Sequence, residues 1–137
     1  MSARILVTGS RTWLNRRLLN AVLTAVNDIT PITVVHGGAP RGADAMAHRW
    51  ALANERDIEV YPERWSSEGR KTAGHIRNRR MVDTAPAAVV AFLAEEATPG
   101  TSGCISLVRA AGIKLAVFRP DSGLELPERW LQLGGLG

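Results

Sequence analysis

The sequence alternates between two kinds of hydrophobic pattern, and this alternation limits its fold more than any other feature. Five short apolar runs, rich in β-branched residues, recur along the chain: Ile5-Leu6-Val7, Ile32-Thr33-Val34-Val35, Ile58-Glu59-Val60-Tyr61, Val89-Val90-Ala91-Phe92-Leu93 and Leu115-Ala116-Val117-Phe118. Most are continuously apolar, which suits strands covered on both faces, as in a parallel sheet. Between them lie segments of helical period. Leu14, Leu18, Leu19, Val22, Leu23 and Val26 form one stripe, with Arg16, Arg17 and Asn20 on the other side. Ala43 to Arg56 carries Ala47, Trp50, Ala51 and Ala53. Ala73 to Thr84 carries Ile76, Met81 and Val82. Cys104 to Ala111 carries Ile105, Leu107 and Val108, with Gly112 as a helix stop. This β-α alternation with short connections predicts an α/β fold: a Rossmann-like, doubly wound, mainly parallel sheet of about five strands in a three-layer αβα arrangement.

With no repeat and no linker-like stretch, residues 1–137 read as one domain. Its last part, 119–137, is expected to be an irregular tail around Trp130, covering a sheet edge or facing a second copy in a homodimer. A composition of 45% hydrophobic and 22% charged residues is enough to build a core. The single cysteine, Cys104, excludes an internal disulfide framework and a cysteine-rich zinc site. The longest apolar run, Ala85 to Ala94, is interrupted by Pro86 and is about half the length a membrane helix needs. The N-terminus enters a strand-like run without an apolar leader. The expectation is a soluble, cytoplasmic protein with no membrane partner.

The formal charge is +4, from 17 basic and 13 acidic residues; 15 of the basic residues are arginine. Total charge alone is ordinary, so position must decide what it means. Ligands of open parallel sheets bind outside the carboxyl ends of the strands. Here those ends lead into Thr8-Gly9-Ser10-Arg11, His36-Gly37-Gly38-Ala39-Pro40-Arg41-Gly42-Ala43-Asp44, and Glu95-Glu96-Ala97-Thr98-Pro99-Gly100-Thr101-Ser102-Gly103. Each loop precedes an expected helix, whose N-terminal amides favour anions. Three such loops on one edge make a phosphate or nucleotide cradle the leading idea. The Gly37 to Gly42 loop has the GxxxxG spacing of a P-loop. Ala43-Asp44 follows it, however, in place of the lysine and hydroxyl an NTPase requires. Asp44 suits either a helix N-terminus or the reading of a sugar hydroxyl.

Between Arg70 and Arg80 lie five basic residues and no acid, a local +5 that exceeds the net charge of the chain. On a helix, Asn78, Met81 and Val82 share one face, and an asparagine among core-facing positions needs a hydrogen-bond partner. The histidines His36, His48 and His75 lack metal-ligand spacing, so no metal is expected. Trp65 could stack on a base, Trp13 and Trp50 read as packing residues, and Cys104 as a small buried residue. No residue pattern defines a catalytic set.

Taken in order, Gly9-Ser10-Arg11, His36 to Ala39 with Arg41 to Asp44, Asn78-Arg79-Arg80-Met81 and Gly100 to Gly103 resemble the SLOG superfamily, in particular its small stand-alone YspA-like branch, over about Arg4 to Phe118. The resemblance implies a Rossmann-like sheet that binds a nucleotide or nucleotide-derived ligand. It also implies kinship with phosphoribohydrolases of the Lonely Guy type and with DprA-type proteins that bind single-stranded DNA, and a role as a sensor in bacterial or phage systems. The phosphoribohydrolase motif resembles PGGxGTxxE. Laid on Pro99-Gly100, it puts Leu107 at the catalytic glutamate, and an apolar side chain cannot do that chemistry. Glu95 and Glu96 precede the glycine turn.

The expected ligand contacts follow from these readings. Gly37, Gly38 and Gly42 would offer N–H groups to phosphate, with Gly9, Ser10 and Arg11 beside it. Arg41, Arg77 or Arg79 would neutralise charge. Asn78 and Asp44 would read sugar or base, and Gly100, Thr101, Ser102 and Gly103 would close the pocket. A nucleotide hydrolase using Asp44, Glu95 or Glu96 is one alternative. Binding of single-stranded nucleic acid through Arg70 to Arg80 with Trp65 is the other. No cofactor is implied beyond the nucleotide-like ligand.

Overall fold

The computed structural model describes residues 2–64, 69, 72–94 and 99–130. The elements run β1 (Ala3–Gly9), α1 (Arg16–Ile29), β2 (Ile32–His36), α2 (Ala43–Ala53), β3 (Ile58–Val60), α3 (Ala73–Asp83), β4 (Ala88–Phe92), α4 (Pro99–Ala110) and β5 (Lys114–Phe118). All four strand pairings are parallel, in the order β3-β2-β1-β4-β5. The chain therefore builds outward from β1 on one side, then returns to build outward on the other. This is the doubly wound α/β arrangement the hydrophobic alternation predicts.

Strand alternation divides the sheet between two cores. Ile5 and Val7 of β1, Ile32 and Val34 of β2, and Ala88, Val90 and Phe92 of β4 face the larger one, with the apolar sides of α1 and α2. Leu6, Val35 and Val89 face the other, with Met81 and Val82 of α3 and Cys104 and Val108 of α4. β2 and β4 are buried at every position, as their unbroken apolar runs require. Trp13 and Trp50 are both core residues.

The helices differ from the sequence expectation at their ends. Leu14 is 86% exposed and lies before α1. Asn15 caps this helix, its side chain accepting the Leu18 N–H at 3.1 Å, so helical spacing holds only from Leu18 onward. Ile76 is also partly exposed, leaving Asn78, Met81 and Val82 as the buried face of α3. Residues 99–103, read as loop, form the first turns of α4. Gly112, at φ 69°, ends that helix, and Ile113 N–H bonds Val108 O in Schellman fashion.

The tail is less irregular than expected. A 3₁₀ turn covers residues 128–130, and Trp130 is fully buried in the larger core, with Leu126 packed against it. Asn15 Nδ2 donates to Pro120 O at 2.8 Å, fastening the start of the tail near α1. Residues 131–137 lie outside the described residues.

The indole N–H of Trp130 is buried with no hydrogen-bond partner among the described residues. Its packing, not its polarity, therefore stabilises the fold. Trp130→Ala should cost about 3–5 kcal/mol in urea unfolding. Trp130→Phe should cost distinctly less, because it also removes a desolvated donor that gains nothing from the fold. Equal losses in the two variants would contradict this account.

Candidate functional site

A cleft of about 340 Å³ opens at the carboxyl edge of the sheet, where β1 and β4 lie side by side and the connections diverge. Diverging loops cannot both cover such a switch point, so a crevice remains there. Val7, Thr8 and Gly9 of β1 form its floor. Arg11 and Thr12, Gly37, Ala39 and Asp44, Glu63, then Gly74, Arg77, Asn78 and Met81, and finally Gly100 and Thr101 complete the lining. Five segments distant in sequence thus contribute to one cavity.

Arg77 ties these segments together. Its side chain is 14% exposed, and each guanidinium nitrogen has an acceptor. Nη1 donates to Gly37 O at 2.7 Å, Nε to Asn78 Oδ1 at 2.9 Å, and Nη2 to Glu63 Oε1 at 3.3 Å. A Cβ on Gly37 would collide with Nη1, so glycine at this position makes the approach possible. Asn78 passes the connection on, its Nδ2 donating to Gly100 O at 3.0 Å. The partner its buried position demands is therefore the first turn of α4. Thr101 Oγ1 donates to Gly9 O at 3.4 Å, joining that turn to the end of β1.

The Gly37 to Gly42 loop is closed by internal bonds, unlike an open phosphate cradle. Gly38 N–H donates to His36 Nδ1 at 2.9 Å and Ala39 N–H to Asp44 Oδ2 at 3.2 Å. Burial pushes the Asp44 carboxyl up, opposed by the backbone N–H groups of Ala39 and Gly37 and by the positive charge of Arg77 and Arg11. Asp44 thus occupies the loop as an anion would. Gly42, at φ 77°, passes so close to Ser10 O and Arg11 Cα that no side chain fits.

The buried His36 pairs with the half-buried His48, Nε2 to Nδ1 at 2.9 Å, with rings edge to face. Because Gly38 N–H points at Nδ1 of His36, the ring proton sits on Nε2 and is donated to His48. Protonating Nδ1 would set two donors against each other. Burial, with the neighbouring His48, lowers the His36 pKa from 6.5 to about 4.

The remaining expected residues separate into groups. Gly9, Arg11, Gly37, Asp44, Arg77, Asn78, Gly100 and Thr101 line the cleft. Ser10 does not: it is buried, its Oγ accepts Ala94 N–H at 3.0 Å, and its carbonyl accepts the N–H groups of Trp13 and Ala43. Gly38 has given its N–H to His36, and Gly42 serves the backbone crossing. Arg41, Arg79 and Ser102 are exposed outside the lining, and Gly103 faces His75 between α3 and α4. Arg70, Lys71, Trp65, Glu95 and Glu96 lie outside the described residues. The expected contacts did not include Val7, Thr8, Thr12, Ala39, Glu63, Gly74 and Met81, which also line the cleft. Glu63 follows β3 at the same sheet edge as the other loops, and this position was the available signal. Cys104 is fully buried, and burial pushes its thiol up, consistent with a packing residue.

A doubly wound α/β domain with a ligand-sized cleft at the switch point defines the class. Comparisons with known proteins agree with the fold class. The family model described as YspA, cpYpsA-related SLOG family matches residues 3–67. The Gene 61 protein of Mycobacterium phage D29 is 37% identical over 122 residues, covering 84% of this chain and 95% of the phage protein. The chain belongs to the YspA-related SLOG family. In fold it is similar to DNA processing protein A (DprA) from Streptococcus pneumoniae, with a TM-score of 0.54 at 17% identity, covering 84% of this chain. It spans only 58% of that DprA chain. Among the described residues, no helix is long and apolar enough to cross a membrane and no cluster of three or more metal-ligating residues occurs.

The His36 pair makes stability depend on pH. A histidine with a depressed folded pKa lets the unfolded chain bind the extra proton first. Its contribution is complete above about pH 6.5 and is lost as pH falls toward about 4. Screened by partial solvent access, the loss should be on the order of 1–2 kcal/mol. Asp44 acts in the opposite sense, its raised pKa favouring the fold as pH falls. The comparison should therefore be with His36→Asn, whose amide oxygen can still accept Gly38 N–H. Thermal melts from pH 7 to 4.5 should fall more steeply for the wild type than for the variant.

Proposed function

We propose that this protein binds a nucleotide or nucleotide-derived ligand in the switch-point cleft. The observation that carries the reading is convergence: Arg11, Arg77, and Gly100 and Thr101 from the first turn of α4 all line one cavity of about 340 Å³. Paired guanidinium groups and a helix N-terminus are the two common protein devices for holding phosphate. The volume lies at the lower end of the range for small-molecule sites. Thr8 lines the same cavity, and Thr101, whose hydroxyl bonds Gly9 O, fixes the first turn of α4 beside it. Asp44 orders the Gly37 to Ala39 segment that forms one wall. Membership of the SLOG family supports a nucleotide-sensing role.

Binding without turnover is the form proposed. Leu107, where the phosphoribohydrolase likeness would require a glutamate, is half-buried against the smaller core. A second reading, contact with single-stranded nucleic acid, draws on the fold likeness to a protein titled DNA processing protein A and on the exposed Arg41 and Arg79. It predicts affinity that falls steeply with salt.

Calorimetric titration with a nucleotide panel tests the first reading. At least one nucleotide should bind, and Arg77→Gln should weaken it by about 10–100-fold through loss of charge-assisted bonds. Folded protein that binds no nucleotide at millimolar concentration would refute the reading. Tight, salt-sensitive binding of oligonucleotides alone would favour the second.

A further inference from the structure

Glu63 stands where an anionic ligand would be expected. Its Oε1 lies 3.3 Å from Arg77 Nη2 and 3.9 Å from Arg11 Nη2, so both cationic side chains of the cleft converge on one carboxylate oxygen. Space for it is left by Gly74, where a Cβ would lie 3.2 Å from that oxygen. The charged residues of the lining are Arg11, Arg77, Asp44 and Glu63, two of each sign. A cleft balanced in this way has no excess of positive charge for a phosphate unless one carboxylate moves aside.

The two carboxylates differ in how they are held. Asp44 sits in the first turn of α2 and accepts a backbone N–H from its own loop. Glu63 lies three positions past the end of β3, within residues 61–64, which belong to no helix or strand, and its side chain reaches into the cleft. Moving Glu63 breaks ion pairs that a phosphate can remake. Moving Asp44 would leave the Ala39 N–H of the cleft wall without its acceptor.

We infer that Glu63 is a built-in anion, holding Arg11 and Arg77 in the ligand-free protein until a phosphate group of the ligand takes its place. This rests on the reading of the cleft as a nucleotide site and narrows the ligand class. A terminal phosphate presents several oxygens and up to two negative charges to the paired guanidinium groups, whereas Glu63 presents one oxygen to both. A free nucleoside or base has nothing to exchange for the carboxylate. The site therefore selects phosphate esters, such as nucleoside mono- or diphosphates, over nucleosides.

The test is calorimetry at fixed ionic strength on the wild type and Glu63→Gln, using ADP, GDP, adenosine and inorganic phosphate as probes. Removing the competing charge should tighten phosphate-bearing probes by roughly 3–10-fold, as expected for a partly exposed ion pair, and leave adenosine unchanged. Binding of phosphate probes by Glu63→Gln alone would also support the inference. If both proteins bind a nucleotide and the variant binds it equally or more weakly, the inference is overturned while the nucleotide reading stands. If neither binds any probe, both fall. Should Glu63→Gln fail to fold, carbon-detected NMR of the wild-type Glu63 carboxylate decides. Its resonance should shift as bound phosphate probe replaces it at the arginines, and an unmoved resonance under saturating probe would overturn the inference.

Discussion

A parallel sheet that reverses its building direction must leave a gap beside its first strand, and in this protein Arg77 spans that gap. Its guanidinium reaches the β2–α2 loop through Gly37, the coil after β3 through Glu63, and the first turn of α4 through Asn78. A cation so nearly buried is tolerable only because each of its nitrogens has an acceptor. The cleft walls are positioned by the same bonds that solvate this charge inside the protein. The geometry of the site and the satisfaction of Arg77 are therefore one constraint.

The glycine-rich loop after β2 follows a different principle. In a phosphate-binding loop of P-loop type, the backbone amides wait for the ligand. Here Asp44 and His36 accept them in advance, with the His36 ring fixed in one tautomer by Gly38. The loop gains rigidity and gives up donors, so under the proposed function anion recognition would fall to the arginines and to α4. A site of this kind depends on side-chain charge more than on backbone curvature. Its affinity should therefore respond to the placement of single residues such as Glu63.

The fold was legible because its signals are periodic. Unbroken apolar runs mark the buried strands, and the stripe from Leu18 to Val26 marks α1. Errors arose where a local bond overrides the period, as where Asn15 starts α1 after Leu14. Others arose where small residues, Gly100 to Gly103, look like loop but begin a helix. The glycine motifs pointed to the carboxyl edge of the sheet, where the cleft opens. They could not tell Gly37, which makes room for Arg77, from Gly42, which makes room for a backbone crossing, because both appear simply as glycine. Nor could they tell Ser10, whose hydroxyl is spent on Ala94, from a ligand contact. Glu63 belongs to no periodic element, and its importance depends on a partner 14 positions later whose orientation only the tertiary structure determines.

The strand order also fixes when the site can exist. β1, α1, β2, α2 and β3 are neighbours in sequence and can assemble through short-range contacts. The pairing of Ile5 with Ala88 must close a loop spanning more than half the chain. Gly74, Arg77, Asn78, Met81, Gly100 and Thr101 all arrive with that second half. The cleft is thus a seam between the half of the chain that forms β1 to β3 and the half that follows. A ligand held there would touch both halves of the chain, so its binding would add to the stability of the fold as a whole.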